Sequence, residues 1–215
     1  MSQDLLEEYI GTGNSKDLID LLIANPGLAM QKTSHLVSPL MLCCYFKKPD
    51  LADIFSKYVQ EISIFEASAL GRSDILEKAM LSDPALLHEF SDDGFTPLGL
   101  ASYFGHEDVV RFLLLKGTET NIPSRNGFNV YPIHSAVSSN YTMISKMLIE
   151  AGADVNVVQM SGVTPLHSAA RNGNIDLIIV LLEAGANVDS KTEDGKTPAD
   201  KALEEGFIEI ARILS

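Results

Sequence analysis

Tryptophan is absent, cysteine occurs twice, and basic residues are scarce: 16 lysines and arginines stand against 29 aspartates and glutamates, a net charge of −13. Each shortage excludes something. An acidic surface repels phosphate backbones, so nucleic-acid binding is not expected. A basic protein partner suits the charge, although solubility alone also accounts for it. The two cysteines, Cys43 and Cys44, are adjacent. Neighbouring cysteines lack the separation and torsion of an ordinary disulfide, and two thiols without spaced partners make neither a disulfide framework nor a zinc site. They suit a reduced, cytoplasmic setting, with helix packing the expected use of at least one. No apolar run approaches the roughly 20 residues of a membrane span. The acidic opening MSQDLLEEYIGTG has neither the basic region nor the long apolar region of a secretory leader. What is present is an ordinary globular balance, 46% apolar and 21% charged.

The chain repeats itself. Pro97, Pro132, Pro165 and Pro198 are spaced by 35, 33 and 33 residues. Each is followed four residues on by alanine (Ala101, Ala136, Ala169, Ala202) and eight residues on by Gly105, Asn140, Gly173 or Gly206. Gly117, Gly152 and Gly185 lie twenty residues after the first three prolines in turn. Proline opens a helix well, because its missing N–H has no partner in a first turn anyway. Thr96, Thr164 and Thr197 precede it and are placed to cap the helix. The alanines are small where two helices approach. The glycines supply the left-handed residue that ends a short helix. A second helix follows, as in IDLIIVLLEA, apolar on more than one face, as a helix packed between neighbours must be.

TPLHSAARNGNIDLIIVLLEAGANVD, residues 164–189, carries the pattern T-P-L-H-x-A at a period near 33 and resembles the ankyrin repeat. The resemblance is strong over residues 91–215 and continues, degenerate, through residues 1–90. Pro39 with Cys43, Ser63 with Ala67 and Gly71, and Gly13 keep parts of the pattern. Asn25–Pro26 and Asp83–Pro84 occupy matching places. About seven units result, and a single domain spanning 1–215 is expected. Its fold class is an all-α ankyrin-repeat solenoid of stacked helix-turn-helix units with hairpin-like turns. Two irregularities stand out. Pro39 to Ser63 is only 24 residues, leaving no room for a hairpin, so helix is expected to pass almost directly to helix. RNGFNVYPIHSA, residues 125–136, carries two extra residues before its proline, and Tyr131 stands where a capping threonine belongs.

Catalytic and metal motifs are missing. There is no G-x-S-x-G, P-loop or HExxH pattern, and GTGNSK at residues 11–16 reads as a helix-ending turn rather than a phosphate loop. His35 and His88 fall in expected loops with no carboxylate or cysteine at metal-ligand spacing. The resemblance makes His134 and His167 structural, tying the turn to the adjacent unit. His106 also sits at a repeat position. No cofactor is expected, and no enzymatic activity.

The resemblance further implies a concave groove walled by turn tips and first helices. Its variable positions here include Tyr45, Phe46, Tyr103, Phe104 and Arg171, with Asp92, Asp93, Phe95, Arg125, Phe128 and Met160 on the turns. Large aromatics at exposed positions suit an interface. Two alternatives stand: the aromatics form a partner-binding patch rimmed by acids, or Phe46 and Phe104 tuck between units and only the tyrosines show. The expected function is recognition of a partner protein by a monomeric, non-catalytic module. An inhibitor of one specific enzyme is the second reading, and an enzyme or small-ligand protein the third.

Overall fold

The computed structural model describes residues 2–215. Among them lie fourteen α-helices, in order α1 (Ser2–Thr12), α2 (Ser15–Ala24), α3 (Pro39–Tyr45), α4 (Pro49–Phe55), α5 (Ile64–Leu70), α6 (Ser73–Ser82), α7 (Pro97–Phe104), α8 (Glu107–Leu115), α9 (Pro132–Ser138), α10 (Thr142–Glu150), α11 (Pro165–Asn172), α12 (Ile175–Glu183), α13 (Pro198–Glu204) and α14 (Ile208–Ile213). Short 3-10 turns occupy Pro26–Met30, Pro84–His88 and Met160–Gly162. The first two are opened by the Asn-Pro and Asp-Pro pairs that the sequence aligns, and His88 ends one of them rather than lying in a loop.

Helices this short are not stable alone in water, so their stability comes from burial. Each odd-numbered helix packs against the even-numbered helix that follows it, and α5, α7, α9, α11 and α13 also stack in series. The repeated alanines Ala101, Ala136, Ala169 and Ala202 are fully buried in that stack. The caps follow the sequence. Ser38, Thr96, Thr164 and Thr197 each accept a backbone N–H from three residues on, and proline follows each directly. Tyr131 makes no side-chain cap, as its identity requires; His134 Nδ1 instead accepts the Tyr131 N–H at 3.4 Å. Replacing Thr164 by alanine is expected to lower stability by about 1 kcal/mol, read from a denaturant midpoint, since one buried donor then lacks its acceptor.

Successive units are tied by polar contacts as well as by packing. His134 Nε2 donates to the Val163 carbonyl and His167 Nε2 to the Lys196 carbonyl, both at 3.1 Å. These are the structural roles the resemblance implies. The turn tips also join backbone to backbone: Arg125 N–H to Gly94 O, Met160 N–H to Phe128 O, and Glu193 N–H to Ser161 O. In the enlarged tip, Arg125 faces the preceding turn and Phe128 the following one. The lengthened loop thus docks on both neighbours, as the turn of ordinary length at Met160 and Ser161 also does. Asn126 fixes it further, its Nδ2 donating to the Asp93 carbonyl.

The short spacing after Pro39 changes the stack. Residues 56–63 connect α4 to α5 with no hairpin; the passage is less direct than the count suggests because α4 already ends at Phe55. Ser63 stands at the proline position by its distance from Gly71, yet it acts as the N-cap, in a capping box with Glu66. With one hairpin missing, contacts jump across the α5–α6 pair. Lys32 pairs with Asp92 at 2.8 Å, and the Tyr45 hydroxyl donates to Asp93. The buried side chains accordingly form two clusters. One spans Leu6 to Phe55 with Ala69 and Leu100, and the other runs from Ile64 to Leu214.

Candidate partner-binding surface

The C-terminal ends of α3, α5, α7 and α9 form one side of a continuous cleft of about 780 Å³. Each of these helices ends in a left-handed residue, and the residue at that position sets how closely the next unit approaches. Gly71 and Gly105 are examples: His106 lies over Gly71 and Tyr141 over Gly105, so rings pack where a Cβ would stand. His106 Nε2 also pairs with the Ala69 carbonyl at 2.8 Å, which holds its ring in place. Ala69 in α5 is small enough to let aromatics from the flanking units meet across it. Tyr45 reaches Phe104 at 5.4 Å and Tyr103 at 6.2 Å between ring centroids, and Tyr103 meets Phe104 edge-on at 5.0 Å.

Burial moves the ionisable groups of this region in one direction. It pushes the Cys44 thiol up to about 12, with the nearby Glu66 charge adding to it, and pushes Cys43 higher still. Both thiols are free, buried and inert by that criterion. Burial, reinforced by the hydrogen bond to Asp93, also raises the Tyr45 phenol, so it remains a donor. Among the described residues no group of three or more histidine, cysteine, aspartate or glutamate side chains is arranged to hold a metal ion. No helix there is long and apolar enough to cross a membrane.

The sequence model described as ankyrin repeats (3 copies) matches residues 64–159 and 133–215, which together span well over half the chain. This chain belongs to the ankyrin-repeat family. It is 45% identical over 56 residues to an ankyrin repeat protein of fowlpox virus, covering 26% of this chain and 8% of that one. It is 31% identical over 102 residues to the mouse RelA-associated inhibitor, covering 46% of this chain and 12% of that one. It is 35% identical over 100 residues to the human transient receptor potential cation channel subfamily A member 1, covering 46% and 9%. The chain thus spans a small fraction of the length of these relatives.

The ankyrin stack distributes the residues singled out by sequence unevenly. Phe46 is 40% exposed with its ring edge-on to His35 at 6.0 Å, and Tyr103 is 43% exposed. Phe104 and Tyr45 are half-buried. The two alternatives for the aromatics therefore divide by residue: Phe104 tucks in and Phe46 does not, while only one of the two groove tyrosines is open. Asp93 is engaged inside the protein by Tyr45 and Ser91, and Asp92 is exposed in its pair with Lys32. Phe95 is half-buried against the N-terminal cluster. The Arg125 guanidinium lies 3.9 Å above the Phe90 ring. Phe128 and Met160 are 50% and 51% exposed on adjacent tips, and Arg171 is exposed on α11. The tip residues and Arg171 do not line the aromatic cleft; Lys47, Lys48, His106 and Tyr141 do. Lys47 was legible in the sequence, because it stands eight residues after Pro39, where other units carry glycine or asparagine.

Proposed function

We propose that residues 1–215 act as one monomeric, non-catalytic module that binds a partner protein along the concave side of the stack. The observation carrying this reading is the joined aromatic set of Tyr45, Tyr103 and Phe104, which opens into a cleft and presents Tyr103 to solvent. Exposed large aromatics on a rigid scaffold are the usual anchors of protein interfaces. Phe46, and Phe128 with Met160 on the tips, extend the surface along the stack. The free cysteines support a reducing, cytoplasmic location. A relative named as an inhibitor supports a second reading, in which binding blocks the partner's activity; assaying a captured partner with and without this chain separates inhibition from scaffolding.

The two neighbours Tyr103 and Phe104 test the reading together. Tyr103→Ala is expected to cost only about 1 kcal/mol of folding stability, from its edge-on contact with Phe104, and to weaken partner binding by about 2 kcal/mol, roughly thirtyfold. Phe104→Ala is expected to cost about 2 kcal/mol of stability, because its ring packs between units. Urea denaturation and calorimetric titration of each variant measure the two quantities. Unchanged binding in Tyr103→Ala removes this surface from the interface.

A further inference from the structure

The cleft is charged opposite to the chain that forms it. Its lining includes Lys47 and Lys48 and no aspartate or glutamate, although the chain as a whole is strongly acidic. Neither ammonium pairs with a carboxylate among the described residues. Asp50 and Asp53, on the helix that follows, do not line it. The Lys48 ammonium and the end of its stem lie over Gly13 of the preceding pair, so Lys47 is the freer of the two charges.

Lys47 also holds a backbone conformation that does not suit it. Its φ is 55°, and the equivalent residues are Gly71, Gly105, Asn140, Gly173 and Gly206, all at positive φ. The left-handed region is strained for a residue with a Cβ and free of strain for glycine. A lysine kept there lowers stability, and its side chain makes no ion pair or hydrogen bond within the described residues in return. Strain of this kind concentrates at functional contacts, and here it lies at the mouth of an aromatic cleft.

Building on the groove reading above, we infer that the cleft receives an acidic segment of the partner protein, with a large apolar side chain against Tyr45, Tyr103 and Phe104 and a neighbouring carboxylate on Lys47 and Lys48. The acidic remainder of the chain does not forbid this. Charges more than about 8 Å apart at the surface are largely screened at physiological ionic strength, whereas a lysine in contact with its carboxylate is not. The long-range field slows the approach of an acidic partner, and the contact charge sets which segment stays.

The test uses the full chain and a phage-displayed library of random dodecamer peptides. Recovered peptides are synthesised and titrated by fluorescence polarisation against the wild type, Lys47→Gly and Tyr103→Ala. Peptides sharing an aromatic or leucine beside aspartate or glutamate are expected. Their affinity should fall about tenfold or more in Lys47→Gly and decline with added salt. The same variant should melt about 2–4 °C higher, because glycine relieves the backbone strain. Basic or uncharged binders, no cleft binder at all, or full affinity in Lys47→Gly overturns the inference. Loss of binding in Tyr103→Ala alone keeps the groove and removes the acidic segment; no loss in Tyr103→Ala removes the groove as well.

Discussion

Gly71→Ala is expected to destabilise the protein by about 3 kcal/mol, from strain in the left-handed region and a displaced ring. Gly71 sits at φ 74°, and an alanine Cβ there would stand 2.6 Å from His106 Nδ1. Tyr141 and Phe207, which cover other glycines, are more than a third exposed and have room to swing. His106 does not yield so easily, since its Nε2 is fixed on the Ala69 carbonyl and moving the ring breaks that bond. Gly117→Ala is the control, because it shares a positive φ of 83° with nothing within 4 Å of the new methyl group. It should lose only about 1 kcal/mol, the strain alone. Urea midpoints of the two variants separate strain from collision. Equal losses would mean that the His106 ring gives way freely and that the packing of unit on unit at this site is soft.

Lowering the pH from about 6.5 to about 4 is expected to remove roughly 3 kcal/mol of stability through His134. The imidazole is 1% exposed, and burial pushes its pKa down from 6.5 to about 4, with carbonyl contacts opposing the shift. Its Nε2 donates to Val163 O while Nδ1 accepts the Tyr131 N–H, an arrangement only the neutral ring satisfies. In that pH window the unfolded chain binds a proton that the folded chain refuses, so stability rises with pH and is fully present above about 6.5. Burial depresses His167 in the same direction, and it adds to the effect. The exposed carboxylates with lowered pKa, such as Asp74, add a loss of the same sign only towards the bottom of this window. Denaturant midpoints recorded from pH 7.5 to 4.5 should therefore slope steadily in the wild type and less steeply in His134→Gln, which starts lower and keeps only the His167 contribution. A flat wild-type profile would show that the His134 site admits the charged ring.

How much of this was legible in advance differs by residue. The helix boundaries of residues 91–215 were written in Thr-Pro caps and in glycines at fixed distance, because capping and left-handed turns depend on residues within one helical turn. The structural histidines were legible only through the family resemblance, because the carbonyls they reach lie 29 residues away in sequence. Asp93 reads as a rim acid in the sequence; its bond to Tyr45, two units away, forms only because the missing hairpin brings those units together. Arg125 sits on a turn by sequence, and its stacking on Phe90 is likewise a contact between loops distant in sequence. Lys47 is marked by the repeat count, and the positive φ adds what the count cannot, the backbone cost of a lysine at a glycine position.

The sequence alone determined the class of fold, the period of the stack, the ends of nearly every helix in its second half, and the absence of recognisable catalytic and metal motifs. Those follow from local rules: periodicity, caps, and the few residues that tolerate a left-handed backbone. The tertiary structure alone decided which aromatics face solvent, which acids are already engaged, and that an acidic chain carries a lysine-lined cleft. Those depend on how one unit sits on the next, and the spacing of 24 residues after Pro39 shifts that seating in a way no single repeat records.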